Sequence, residues 1–507
     1  MRVLLFLLLF FQIHLESSPE ALYNSLDPTS ISENLAFYEL YPQTPSGKKA
    51  LTRAWNLLAP EEEVPLLKTL SFPYLDVRGI ISLVTKQPFQ EPIKLQDEQL
   101  DLIEKISSKL ANRSLKGFNV WKIEDLIPLP PEEIDLGRAL LISQLDSPEE
   151  KKNEIRNYEA SLDLMSLQIL ARLKNNATDK DKIKEITRYI FQEMQFRFPP
   201  HSLHAQDIDL YTFLPSVLDS RQGVCLGVSI LYLCLAERLG LNLEIITPPG
   251  HIYVRYQNGD DLINIETTAR GVHLPSEVYL GVNTRSLQKR DIKEVVGLAF
   301  VNEASVAWGK NNYEKCVTLY EKAALFLPDD SLLKLFLGLN YLFVGKKTEG
   351  KALLSQIRHH TFDYAISKET IPDDYLSGRV DIEGLKAIFT HVDETRESVI
   401  KKQEELKNIL KKTPLFRAGL LQYAVTYLQL SRGNEAKKIL EDYYSLDKKD
   451  ATVAYYLAML NIERYDYLKA WKYLKQAEKL TAARDHAPKP LKGMRGFLKR
   501  TCPDPSI

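Results

Sequence analysis

Val217-Leu-Asp-Ser-Arg-Gln-Gly-Val-Cys-Leu-Gly-Val-Ser-Ile-Leu-Tyr-Leu-Cys-Leu-Ala-Glu-Arg-Leu-Gly240 is the stretch on which the reading of this chain turns. From about Val224 to Leu239 it is apolar on nearly every side, which predicts a buried helix. Gly240 stands where a helix end favours a left-handed residue. Cys225 falls in the first turn, where unpaired N–H groups and the helix dipole favour a thiolate. This is a suitable place for a nucleophile. Its own backbone N–H and the side chain of Gln222, three residues earlier, are candidate donors to an oxyanion.

Working downstream, the loop through Pro248, Pro249 and Gly250 leads to two strand-like runs, His251 to Gln257 and Asp260 to Thr267. They flank Asn258-Gly259, a strong signal for a two-residue type I′ hairpin. In that register Gln257 faces Asp260, Tyr253 faces Asn264 and His251 faces Glu266. Directly opposed residues have Cβ atoms about 4.5 to 5.5 Å apart, so Glu266 can hold one imidazole nitrogen while the other is presented elsewhere. Alternation puts Ile252, Val254, Ile263 and Ile265 on an apolar face, and His251, Tyr253, Asn264 and Glu266 on a polar one. Attack by a cysteine on an acyl carbon needs a thiolate, a histidine to move the proton and a group to orient the histidine. Cys225, His251 and Glu266 supply these in order.

The residues around this constellation resemble the transglutaminase-like domain of the papain superfamily, in its bacterial SirB-type branch. The resemblance lies in Ala139-Leu-Leu-Ile-Ser-Gln-Leu, Val217 to Leu233, Ala236-Glu-Arg-Leu-Gly-Leu, Pro249-Gly-His and Ile263-Asn-Ile-Glu, and spans about 150 residues. It implies a cysteine on a core helix packed against a sheet that bears the histidine and the acid. The acid of the family is usually aspartate, whereas this chain has Glu266, one methylene longer. Many SirB-type relatives lack the cysteine, which is kept here as Cys225.

Upstream, Pro131 to about Arg285 reads as an α+β domain that opens with helices at Glu132 to Leu145, Ser147 to Lys174 and Asp179 to Gln195. Ser147, Pro148 and Glu150 form the start signal of the second of these helices. Before Pro131, helix-like stretches such as Lys48 to Leu58 and Gln96 to Leu110 alternate with proline-rich breaks. The expectation there is a helical N-terminal domain.

After about Asp291 a 34-residue period sets in, that of tetratricopeptide (TPR) helix pairs. Tyr313, Cys316, Tyr320, Ala323 and Pro328 fill one unit, and Leu337, Gly338, Tyr341, Gly345 and Gly350 the next. Further on, Ala436 and Ala470 are again 34 apart, with Tyr427, Leu457 and Ala477 at packing positions. His359 to Asp393 breaks the period and a charged helix follows from about Glu394 to Lys412, which predicts two short blocks.

The predicted order is a signal peptide or N-terminal anchor (1–18), a helical N-terminal domain (19–130), the transglutaminase-like α+β domain (131–287) and TPR-like helix pairs (288–358). An insertion with the charged helix (359–412), further TPR-like pairs (413–485) and a tail (486–507) complete it.

Composition bounds the function. Of 507 residues 44% are hydrophobic and 26% charged, which excludes disorder. A net charge of −1 leaves no general field for nucleic acid. Four cysteines without a C-x-x-C pair give neither a disulfide framework nor a zinc or redox motif. Cys234 and Cys316 read as core, and Cys502 as an exposed tail residue. His201 and His204 have ligand spacing but no third ligand, so no metal and no cofactor is expected. Arg2 and the apolar run Val3 to Phe11 read as an export signal, and no later segment predicts a membrane span. The expectation is an exported cysteine-dependent amide hydrolase or acyltransferase whose TPR surface takes a protein or peptide. The alternative is a protein-binding scaffold that keeps the fold without catalysis.

Overall fold

The decisive stretch forms a helix over Cys225–Arg238, in a computed structural model that describes residues 18–58, 83, 87–90, 93–145, 151–199, 211–393 and 395–503. Gly240 follows it with φ +63°. The N–H of Gly240 bonds the carbonyl of Glu237 (3.0 Å) and that of Leu241 the carbonyl of Ala236 (2.9 Å), the paired bonds of a Schellman end. Leu226, Val228, Ile230, Leu231, Leu233 and Leu235 are all buried, so the helix has no solvent face and forms the centre of the domain.

Four antiparallel strands pack near it: β1 (Glu244–Thr247), β2 (Tyr253–Asn258), β3 (Asp261–Ile265) and β4 (Gln288–Arg290), in the order β3-β2-β1-β4. The hairpin forms, with a corrected register. Asn258 pairs with Asp261 and Arg255 with Asn264, so the two-residue loop is Gly259-Asp260 and not Asn258-Gly259. A type I′ turn needs positive φ at both central residues, but only Gly259 has it (φ +57°), at the first loop position, as in type II′ turns. Asn258 stays in the strand, with its amide 3.3 Å from the Tyr256 hydroxyl. A slide of two residues preserves the faces, and Val254, Tyr256 and Ile265 still meet the core. It does remove His251 from its place directly opposite Glu266.

The long helix Lys152–Arg172 is a shared wall. Ile155, Leu162 and Ile169 face the α+β core, while Ala160, Leu164 and Leu167 join the core of the N-terminal helices Ile31–Leu40, Pro45–Leu58 and Asp97–Ile106. Two buried ion pairs fix the wall: Arg138 with Glu159, and Arg238 on the Cys225 helix with Asp163 (2.8 Å). Buried pairs of this kind select one arrangement, because an unpaired partner would strand a charge in the core. The start signal at Ser147 to Glu150, the N-terminal run to Phe11, and His201 and His204 lie outside the described residues. Among the described residues no helix is long and apolar enough to cross a membrane, and no cluster of three or more metal-ligating groups occurs.

The period after Asp291 becomes helix pairs. Cys316, Gly350, Ala436 and Ala470 each occupy the fourth position of a second helix, in Tyr313–Ala324, Lys347–Gln356, Gly433–Leu446 and Tyr467–Ala482. All four are buried, and at Gly350 the paired helices come so close that a Cβ would press on the Gly338 carbonyl oxygen. The two predicted blocks are not separate. Val380, Leu385 and Ile388 from the insertion share one core with Leu335 and Leu354 on one side and Leu406, Phe416 and Tyr423 on the other.

A Cβ at Gly350 would lie 2.8 Å from the Gly338 carbonyl oxygen, whereas one at Gly493, in the final helix Lys489–Thr501, would meet nothing within 4 Å. Gly350→Ala is expected to lower stability by about 1 to 3 kcal/mol through overpacking. Gly493→Ala should raise it by about 0.5 to 1 kcal/mol through helix entropy. Denaturant melts of the two variants check the contrast.

Candidate active site

Cys225 is the first residue of its helix, partly exposed and a free thiol. The chain before it is locked by tight backbone packing: the Val224 N–H bonds the Tyr211 carbonyl (3.1 Å), and the Gly223 N–H bonds the Arg197 carbonyl (3.1 Å). Gly227 is required here, since a Cβ at that position would lie 2.2 Å from the Tyr211 oxygen. Val224 provides no side-chain cap, and among the described residues no acceptor takes the Cys225 N–H. That N–H is therefore available beside the sulfur, as an oxyanion donor must be.

His251 arrives on a turn. Its N–H bonds the Pro248 carbonyl (3.0 Å), with Pro249 at the second position and Gly250 at φ +72°, the pattern of a type II turn. The ring is about one-fifth exposed, and its Nε2 lies 2.7 Å from Glu266 Oε2. The Cys225 side chain lies close enough to the imidazole to help raise it, while Nε2 is the nitrogen taken by Glu266. The structure thus brings Cys225, His251 and Glu266 together despite the altered register. His251 precedes β2 and Glu266 follows β3, so their contact lies beyond the paired ladder.

Glu266 is saturated with donors. Oε1 accepts from the Thr268 N–H (3.1 Å) and hydroxyl (2.6 Å), and Oε2 accepts from the Tyr279 hydroxyl as well as from His251. Burial would push its carboxyl up, but the bonds from His251, Thr268 and Tyr279 outweigh this and hold it at about 2. Burial would likewise push the imidazole down, but the bonds to Cys225 and Glu266 raise it to about 9. The resting pair is a carboxylate and an imidazolium. One turn along the helix from Cys225, Ser229 Oγ lies 2.9 Å from Thr267 Oγ1, which staples the thiol-bearing helix to the acid-bearing strand.

Two groups escaped the sequence reading. Thr268 follows Glu266 by two residues, the spacing at which a carboxylate caps its own downstream N–H, and that signal was available. Tyr279 was not legible, since its approach depends on the fold of the loop after β3. Its ring stacks on those of His251 (5.5 Å between centroids) and Tyr253 (5.0 Å). Gln222 is buried, and among the described residues its Oε1 has no partner and its side chain bonds neither Cys225 nor His251. The other thiols differ in kind. Burial pushes Cys234 well up and Cys316 up to about 12, while Cys502 is half-buried in the tail, its carbonyl bonded by Trp471 (2.9 Å).

Residues 156–296 match the model of the transglutaminase-like superfamily, so the α+β part of the chain is a transglutaminase-like domain. Among solved structures, one of MamA from strain MSR-1 shares 16% identity, covering 36% of this chain and 95% of that one, with a TM-score of 0.18. TTC0263, a thermophilic TPR protein of Thermus thermophilus, shares 17% identity, covering 40% of this chain and 97% of that one, with a TM-score of 0.20. No curated protein gives a significant sequence match. The helical C-terminal half is TPR-like by its own helix pairs and their 34-residue packing positions.

The shifted pair has a pH signature with a defined sign. His251, raised from 6.5 to about 9, contributes stability that is complete below pH 6.5 and lost as pH rises through about 9. Glu266, lowered from 4.5 to about 2, contributes stability present above pH 4.5 and lost as pH falls through about 2. The melting difference between the native chain and Glu266→Gln is therefore expected to be widest from pH 4.5 to 6.5 and to narrow toward pH 9. A difference independent of pH would contradict the pairing.

Proposed function

We propose that this chain is a cysteine-dependent amide hydrolase or acyltransferase acting on a peptide or protein, with the TPR-like pairs selecting the partner. The single observation that carries the reading is His251 bonded through Nε2 to Glu266 and raised by its interaction with Cys225. The Cys225 thiolate attacks the amide carbon, and the C–S bond forms as the carbonyl electron pair moves onto oxygen, beside the Cys225 N–H. The imidazolium of His251 gives its proton to the leaving nitrogen, the C–N bond breaks, and a thioester with a free amine results. Water or a second amine then attacks the thioester. His251 takes the proton of the attacking group and the thiolate leaves. Glu266 stays ionised throughout and holds the ring. Gln222 belongs to this proposal as a second oxyanion donor, supported by its position just before the helix.

The helix pairs of the repeats support partner binding, because stacked pairs of this kind present extended surfaces suited to peptides and proteins. Arg2 and the apolar run Val3 to Phe11 support export of the chain.

The test is the alkylation rate of Cys225 against pH, in the full chain and in His251→Ala. Rapid reaction near neutral pH, slowed about tenfold or more in the variant, is the expected result. A thiol equally inert in both would leave the non-catalytic scaffold as the reading of the domain.

A further inference from the structure

We infer that Tyr279 is a positioning residue of this site and that the repeat array sets its placement through the segment 281–286. The inference rests on the reading of Cys225 as a nucleophile and goes beyond it, since it gives the repeats a second role inside the active site. Tyr279 donates its hydroxyl to the oxygen of Glu266 that also receives His251, and its ring lies along the imidazole at an interplanar angle of 24°. It reaches both members of the pair from outside the hairpin and its turn, bonding one and stacking on the other.

The loop that carries Tyr279 runs straight into the repeats. The carbonyl of Gly281 accepts from His486 Nε2 (2.7 Å), beyond the last TPR-like pair. Val282 is buried in the core of the second set of pairs. The Asn283 side-chain oxygen accepts the N–H groups of Ile366 (3.2 Å) and Ser367 (2.8 Å) in the insertion, and Thr284 bridges to Ala365. The Arg285 N–H bonds the Tyr364 carbonyl (2.8 Å), and Arg484 reaches back to the Ala365 carbonyl (2.5 Å). Ser367 in turn accepts the Ala451 N–H (3.0 Å) at the start of the helix Ala451–Ile462. Two residues separate Tyr279 from Val282, so a strap anchored in the array ends on the hydroxyl that steadies Glu266.

On the other side the same loop is tied to the sheet. Ser276 accepts from Arg255 (2.8 Å) and from the Asn264 amide (3.1 Å), while the Asn264 backbone N–H bonds His273 Nδ1 (3.0 Å). The position of Tyr279 is therefore the meeting point of two sets of anchors, one in the catalytic sheet and one in the repeats. A partner that alters the stacking of the helix pairs acts on the site through this strap, without touching Cys225.

The experiment follows alkylation of Cys225 by peptide mass in the full chain as a function of pH, beside His251→Ala. Tyr279→Ala should slow the reaction near neutral pH by about tenfold, the effect of losing a hydrogen bond to a charged group. Tyr279→Phe, which keeps the stacked ring, should recover part of that loss. Asn283→Ala, which leaves the site untouched, should shift the pH profile in the same direction as Tyr279→Ala while Cys234 and Cys316 stay protected. If Asn283→Ala does not fold, His486→Ala removes a separate anchor and is read instead. A wild-type profile in Tyr279→Ala, with His251→Ala slow, would overturn the inference and leave the thiol site standing. A wild-type profile in both anchor variants alone would overturn the role of the repeats. A wild-type profile in His251→Ala would remove the reading on which the inference rests.

Discussion

The carboxylate of Glu266 is the constraint on which the rest of the site depends. It lies at the end of β3, where burial alone would neutralise it, and it stays charged because four donors from three places converge on its two oxygens. Two come from Thr268, one from His251 and one from Tyr279. Cys225 and Glu266 together raise the His251 imidazole, whereas burial is the leading influence on Cys234 and Cys316. The difference arises from placement, since Cys234 sits on the same helix and is fully buried, whereas Cys225 is partly exposed at its start.

Each part of the scaffold serves this convergence in a way that can be traced to residues. Gly227 lets the segment at Tyr211 lie against the start of the helix, Gly250 takes the left-handed conformation that turns His251 inward, and Ser229 bonds Thr267 across the gap between helix and strand. The buried Arg238–Asp163 pair then fixes the far end of the same helix to the wall shared with the N-terminal domain. The N-terminal helices, which carry no visible chemistry of their own, cover the outer side of that wall.

Much of this was legible in the sequence, for reasons that can be named. The helix of Cys225 was readable because it is apolar all round and ends on Gly240, and the TPR-like pairs because small residues recur at buried positions of the paired helices. The polar and apolar faces of the hairpin were readable because side chains alternate with a period of two, which survives a two-residue slip. The slip itself was not readable. Asn258-Gly259 and Gly259-Asp260 are both acceptable loops, and the choice lies in backbone angles that composition does not specify. For that reason the sequence joined His251 to Glu266 through a register that the hairpin does not adopt, although the two side chains do meet. Tyr279 and its strap were out of reach, because they depend on contacts between segments about eighty to two hundred residues apart. The core continuous through the insertion was hidden for the same reason: Val380 and Leu385 show no repeat period, only burial.

The central claim is that Cys225 is a nucleophile toward acyl carbon. It is tested most directly by incubating the full chain with an activated acyl ester, such as p-nitrophenyl acetate, near neutral pH and locating the adduct by peptide mass. The expected result is a single acyl group on the peptide that contains Cys225, formed much more slowly in His251→Ala and lost on addition of an amine. Acylation confined to surface lysines, or equal labelling of Cys225 with and without His251, would contradict it.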